Sequence, residues 1–180
     1  IARLTPLPVT HVIITHYHAD HIYGLQVFKD EGAIVVAHRQ ALLYLHSDTA
    51  RQRLQASRED LFPWIDEHTR LVPADLWLDG PTVLRVGGQV FDVRPAGPSH
   101  TPEDLVVWVP GQGVLFAGDL VFRGRIPFVG QADSAHWIAA LDTLIGFDAR
   151  VIVPGHGPVS DSARADLELT RDYLTHLRRT

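Results

Sequence analysis

An α/β (α+β) class is predicted from three features of this 180-residue chain. Between Val12 and Ala37 an apolar run, a helical stretch and a second apolar run follow one another. Alternating apolar and polar residues then fill Thr82 to Ala117, and two one-faced helical patterns flank a last apolar run towards the C-terminus. Sheets with helices on their outer faces bury elements arranged in this order most economically. The length suits one domain with a real core, so residues 1–180 read as a single domain.

Taken in order, Val12 to Thr15 and Ile34 to Ala37 are predicted as short buried strands, joined by a helix over Ile22 to Lys29 that Gly32 closes. Arg39 to Asp60 is polar, helix-prone and rich in arginine and glutamine, and runs into the mixed segment LFPWIDEH. It reads as a helical excursion over the fold. From Thr82 an antiparallel meander is expected: TVLRV, a Gly87-Gly88 turn, QVFDVRP, LVVWV, the turn PGQG of Pro110 to Gly113, and VLFAG. Ser134 to Ile145 carries Ile138, Leu141, Leu144 and Ile145 on one face behind the N-cap candidates Asp133 and Ser134. The strand RVIVP follows, then PGHGP, then a helix from about Ser162 to Leu177 with Leu167, Leu174 and Leu177 on one side.

Composition narrows the function. A hydrophobic fraction of 46%, a charged fraction of 21% and a net charge of -5 describe a soluble globular protein whose surface does not invite nucleic acid. Cysteine is absent, which removes disulfides, thiolate ligands and cysteine nucleophiles together. No apolar run approaches the roughly 20 residues needed to span a bilayer, so no membrane partner is expected. Compartment, cytoplasmic or periplasmic, and oligomeric state stay open.

The chemistry concentrates in THYHADH, residues 15–21. In extended backbone alternate side chains share a face, so His16, His18 and Asp20 can leave the strand end together while His21 turns off with the helix. Four coordinating groups packed this closely are sterically and electrostatically awkward without a cation. Three further candidates stand where apolar runs end beside glycine or proline: His100 in GPSHTPED, Asp119 in AGDLVF and His156 in PGHGP. The remaining histidines, His11, His38, His46, His68, His136 and His176, lack such settings and read as surface or packing residues. Five histidines and two aspartates exceed one tetrahedral zinc, so two metals fit the count. Nitrogen and oxygen donors without sulfur suit two zinc ions and tolerate iron or manganese.

HxHxDH, a single His, a single Asp and a last His, in this order from His16 to His156, resemble the motifs of the metallo-β-lactamase superfamily. The resemblance implies an αββα sandwich with metals between the ends of the two sheets. It places His16, His18 and His100 on a first metal and Asp20, His21 and His156 on a second, with Asp119 bridging. It also implies hydrolysis by a metal-held hydroxide, with Asp20 and Asp119 in the catalytic set. Aspartate at 119, where the β-lactamases usually carry cysteine or serine, is similar to the glyoxalase II, lactonase and related branches. GDLVFRGRIPF and VIVPGHGPVS resemble glyoxalase II-like zinc hydrolases, including a subgroup associated with quinoprotein and sulfur-oxidation systems. The expected reaction is hydrolysis of a thioester, ester or lactone; a mononuclear-iron persulfide dioxygenase is the alternative, with β-lactamase and nuclease members behind it.

The substrate is expected to be a small molecule. Tyr17 and Tyr23 flank the metal turn, Arg123 and Arg125 follow Asp119, and Phe62, Trp64 and Phe128 are candidates for an apolar wall, a set suited to an acyl group with an anionic part. The superfamily normally supplies several strands and a helix before HxHxDH, whereas fifteen residues precede His16. The N-terminal strands of the sandwich are therefore expected to be missing from this chain, as in a fragment of a longer protein.

Overall fold

The computed structural model describes residue 1 and residues 3–180. Its backbone divides into two compact units, Ile1–Trp77 and Leu78–Thr180. The fold is mixed α and β, as the sequence predicts, and each unit has one sheet and a set of helices.

In the first unit β1 (His11–Ile13) pairs in parallel with β2 (Ile34–His38), in the register His11 to Ile34 and Ile13 to Val36. A central strand of a parallel pair is covered on both faces, which is why Val35, Val36 and Ala37 are all buried and the run does not alternate. β3 (Leu76–Leu78) flanks β2 on its other side; sequence reasoning missed this strand, which is only three residues long.

The single helix expected between the strands is two. α1 (Ala19–Ile22) ends at Tyr23, and α2 (Leu25–Asp30) starts behind Gly24, whose low helix propensity marks the break. The excursion forms α3 (Ala41–Leu45) and α4 (Asp48–Asp60), the latter capped by the Ser47 hydroxyl, which accepts from the Ala50 N–H at 3.1 Å. Ile14, Ile22, Val35, Leu54 and Val72 gather into this unit's core.

The second unit is a sheet in the order β4-β5-β6-β7-β8. β4 (Thr82–Val86), β5 (Gln89–Pro95), β6 (Leu105–Val109) and β7 (Val114–Phe122) form the antiparallel meander. β8 (Val151–His156) then joins β7 in parallel, after a crossover through α5 (Ser134–Ile145). α5 is capped by Asp133, whose carboxylate accepts from the N–H groups of Ala135 and His136. α6 (Ala163–Leu177) buries Ala163, Leu167, Thr170 and Leu174, while Leu177 stays on the surface. Trp137, Leu141, Leu115, Leu120, Ile152 and Leu167 make the second core.

β7 is longer than its sequence suggests, and this changes where Asp119 sits: within the strand and not behind it. The register with β8 slips between Phe116 and Gly118 and again between Gly118 and Phe122. The surplus residues bulge, and a bulge re-aims the side chains it contains. Gly118 takes the left-handed φ of 53° that such a kink requires. Among the described residues, no helix is long and apolar enough to cross a membrane.

Candidate functional site

Both units contribute histidine and aspartate side chains of the kind that could hold a metal ion. In the first, β1 delivers the chain to Thr15, and the backbone stays extended through His18 (ψ 155°) before α1 begins. His16 and His18 lie on one side of that segment, with Nε2 of His16 3.0 Å from Nδ1 of His18. The His16 and His21 rings stand 4.2 Å apart, and His21 Nε2 is 3.5 Å from Asp20 Oδ2. His16 is buried at 1% exposure, whereas the Asp20 side chain is 55% exposed.

Sequence reasoning missed Thr15, whose hydroxyl lies 3.2 Å from Nδ1 of His16 and 3.4 Å from Nδ1 of His21. A group that engages Nδ1 on both rings orients them, with Nε2 of His16 turned to His18 and Nε2 of His21 to Asp20. The available signal was a polar residue closing the apolar run VII.

In the second unit Asp119 is the centre. Its Oδ2 is 3.3 Å from Nε2 of His100 and 3.4 Å from Nε2 of His156. Nδ1 of His100 lies 3.0 Å from the Phe128 carbonyl. A carbonyl can only accept, so Nδ1 carries a proton and Nε2 is the ring atom turned towards the carboxylate. A buried carboxylate oxygen beside two imidazole nitrogens calls for a positive charge, on a ring or on an ion held between them. Two ligands bound at about 2.0–2.1 Å and separated by a tetrahedral angle lie about 3.3–3.4 Å apart, which is the spacing of both pairs. The donor chemistry and the spacing therefore fit zinc.

Backbone room makes this cluster feasible. A Cβ on Gly155 would run into Asp119 Oδ1 and come within 2.7 Å of the Gly118 carbonyl carbon, so β8 passes close to Asp119 because residue 155 has no side chain. Gly157, at φ 100°, turns the chain away directly after His156. The His156 ring stacks on Phe122 at 5.1 Å.

The loop holding His100 is tied by its own polar groups. Asp104 accepts from the Thr101 N–H at 2.7 Å and from the Thr101 hydroxyl at 2.9 Å, and its carbonyl accepts from the Ala96 N–H at 2.7 Å. Burial pushes the Asp104 carboxyl up to about 7; the bonds from Thr101 oppose the shift, and the negative charges of Glu103 and Asp119 add to it. Trp137 supports the neighbouring strand, donating from its indole N–H to the Leu120 carbonyl at 3.1 Å, with its ring 5.5 Å from His100.

The substrate-contact candidates occupy different settings. Tyr17 is buried at 1% exposure in the first core. Tyr23 is buried and also lines a groove beside Asp20. Arg123 is engaged by Asp166 at 2.9 Å and by the Pro158 carbonyl at 3.0 Å. Arg125 is exposed, stands 5.8 Å over the Phe122 ring, and reaches to 3.5 Å of His156 Nδ1, too far for a firm hydrogen bond.

The chain is similar to known proteins over most of its length. The model of the metallo-beta-lactamase superfamily matches residues 1–156. A metallo-beta-lactamase type 2 from Bacillus sp. (strain 170) is 30% identical over 158 residues, covering 85% of this chain and 53% of that protein. A linear primary-alkylsulfatase from Pseudomonas sp. (strain ATCC 19151) is 25% identical over 97% of this chain and 40% of its own length. The chain thus spans about half or less of these two curated relatives. Among solved structures, a metallo-beta-lactamase from Pontibacter korlensis superposes with a TM-score of 0.70 at 26% identity, covering 93% of this chain and 70% of that one. A metallo-beta-lactamase family protein from Thermus thermophilus reaches a TM-score of 0.73 at 22% identity, over 93% of this chain and 61% of that one, a likeness of fold alone.

Proposed function

The chain belongs to the metallo-beta-lactamase superfamily, and from that premise we propose that it hydrolyses a thioester, ester or lactone of a small molecule at a dinuclear zinc centre. The observation that carries the reading is Asp119 Oδ2, 3.3 and 3.4 Å from Nε2 of two imidazoles, one of which donates from its Nδ1 to the Phe128 carbonyl. In this reading His16, His18 and His100 hold one ion, Asp20, His21 and His156 hold the other, and Asp119 is common to both. When bound, the ions supply a water of lowered pKa as nucleophile and an electrophilic anchor for the scissile carbonyl.

The chain's own residues then do the following. Thr15 orients the His16 and His21 rings at Nδ1, and the Phe128 carbonyl holds a proton on Nδ1 of His100, so that the Nε2 atoms are positioned before any ion arrives. Asp119, buried at 4% exposure, supplies a negative charge that water does not screen. Asp20 is the exposed ligand, and a proton leaving the site can reach bulk water by its carboxylate. Arg125 is placed to meet an anionic part of the substrate, whereas Arg123, already engaged by Asp166, holds the turn after His156.

Aspartate at 119, in place of cysteine or serine, supports the glyoxalase II-like branch, including its quinoprotein and sulfur-oxidation subgroup. A second reading, hydrolysis of an alkyl sulfate ester, is favoured by the alkylsulfatase relative that aligns over 97% of the chain.

Elemental analysis of protein purified without added metal, with a screen over thioesters, lactones, aryl esters, β-lactams and alkyl sulfates, tests the proposal. Zinc at two ions per chain and turnover of an acyl substrate are expected. A single iron would favour a persulfide dioxygenase and sink the hydrolase. Asp119→Ala should lower metal content and cut turnover by at least about a hundredfold. His46→Ala and His176→Ala, both at exposed positions, should do neither.

A further inference from the structure

Beside Asp20 the first unit carries a groove of about 340 Å³ walled by Tyr23, Leu61, Trp64 and Ile65. This lies at the small end of the range for ligand pockets, roughly 300–1,000 Å³. Apart from Asp20, no charged side chain among the described residues lines it, so a sugar, a nucleotide or a charged peptide would find little to pair with.

Trp64 is 86% exposed and Leu61 47% exposed, on a loop that is tied down at several points. Arg58, near the end of α4, donates from Nε to the Asp66 carbonyl and from a terminal nitrogen to the Thr69 carbonyl, both at 2.9 Å. Trp64 N–H donates to the Leu61 carbonyl at 2.8 Å, and Asp66 N–H donates to the Thr69 hydroxyl at 3.1 Å. An anchored loop that holds a large aromatic in water forgoes the burial of its largest side chain. Ile65 packs on the core at the base of the groove, so the loop is seated by one side chain while its neighbour stands at the rim.

We propose that this groove binds the hydrocarbon part of an acyl chain, and that the protein prefers medium-length acyl groups over acetyl. The proposal rests on the hydrolase reading above, because the groove's charged end is Asp20, a ligand of the proposed metal turn. A chain lying along Tyr23, Leu61, Trp64 and Ile65 would have its carbonyl end at that turn. Trp64 is then a specificity-determining residue.

Two measurements test it independently. Across acetyl, butanoyl and hexanoyl thioesters or aryl esters, kcat/KM should rise about threefold per methylene, and Trp64→Ala should cut the hexanoyl-to-acetyl ratio at least about tenfold. Leu43→Ala, which removes an exposed leucine of α3 outside the groove, should leave that ratio unchanged. In metal-depleted protein, titration with 1-octanol should shift tryptophan emission to the blue, and the shift should vanish in Trp64→Phe while the other three tryptophans remain.

Equal chain-length slopes in wild type and Trp64→Ala, or an octanol shift that survives Trp64→Phe, would overturn the groove assignment. So would Trp64 emission that changes with protein concentration and ignores octanol, which marks a self-association surface. If no acyl substrate is turned over, the acyl-hydrolase reading fails on its own, and the octanol titration still decides the groove.

Discussion

Asp119 Oδ2 lies 3.3 Å from Nε2 of His100, at the edge length of a zinc tetrahedron, and the contact joins the bulged strand β7 to the loop that leads into β6. The same oxygen meets His156 Nε2 at 3.4 Å. Half of the proposed metal centre is therefore shaped within the second unit by one carboxylate and the backbone around it.

Gly155→Ala tests that shaping. The new methyl would occupy the space of Asp119 Oδ1, so the carboxylate must move. Bound zinc should drop well below that of wild type by elemental analysis, with turnover falling at least about a hundredfold. Normal zinc content in a folded Gly155→Ala protein would show that Asp119 does not need the space.

Thr15→Val keeps the shape of the side chain and removes the hydroxyl shared by Nδ1 of His16 and of His21. Residues that orient ligands in this way typically contribute about 10- to 100-fold in metal affinity. A competition titration with a chelating dye should show a loss of that size, with far-ultraviolet circular dichroism unchanged.

Asp104 sets a pH dependence whose sign follows from its burial. A carboxyl raised from 3.8 to about 7 keeps its proton in the folded state when the unfolded chain has already lost it. The stability this gives is complete below about pH 4 and is lost as pH rises through about 7. In metal-depleted protein, wild type should lose roughly 4 kcal/mol relative to Asp104→Asn over this interval, read by urea denaturation at each pH. Parallel curves for the two proteins would refute it.

Tyr23→Phe bears on stability. The Tyr23 hydroxyl is buried and has no hydrogen-bond partner among the described residues, so its removal relieves a desolvation cost of about 1 kcal/mol or more. The melting temperature should rise by about 2–4 °C. A fall would mean that the hydroxyl is satisfied in solution.

Much of the site is legible in the chain itself. THYHADH, GPSHTPED, AGDLVF and PGHGP name all seven proposed ligands, because coordination demands particular side chains and turns demand glycine or proline beside them. The meander and the N-cap at Asp133 are legible for the same local reason, since alternation and capping are written within a few residues. The break at Gly24 is written there too, but the apolar spacing of Ile22 to Lys29 hides it.

The sequence by itself thus determined the mixed α and β class, the superfamily and the identity of the candidate ligands. Only the tertiary structure decided that Asp119 belongs inside β7, that the Phe128 carbonyl holds a proton on Nδ1 of His100, that Thr15 serves two rings, and that Trp64 stands exposed on a tied loop. The physical reason is range. Ligand identity and turn chemistry are local properties of the chain, whereas a bulge register, a carbonyl twenty-eight residues away and the room left by Gly155 exist only once strands have paired.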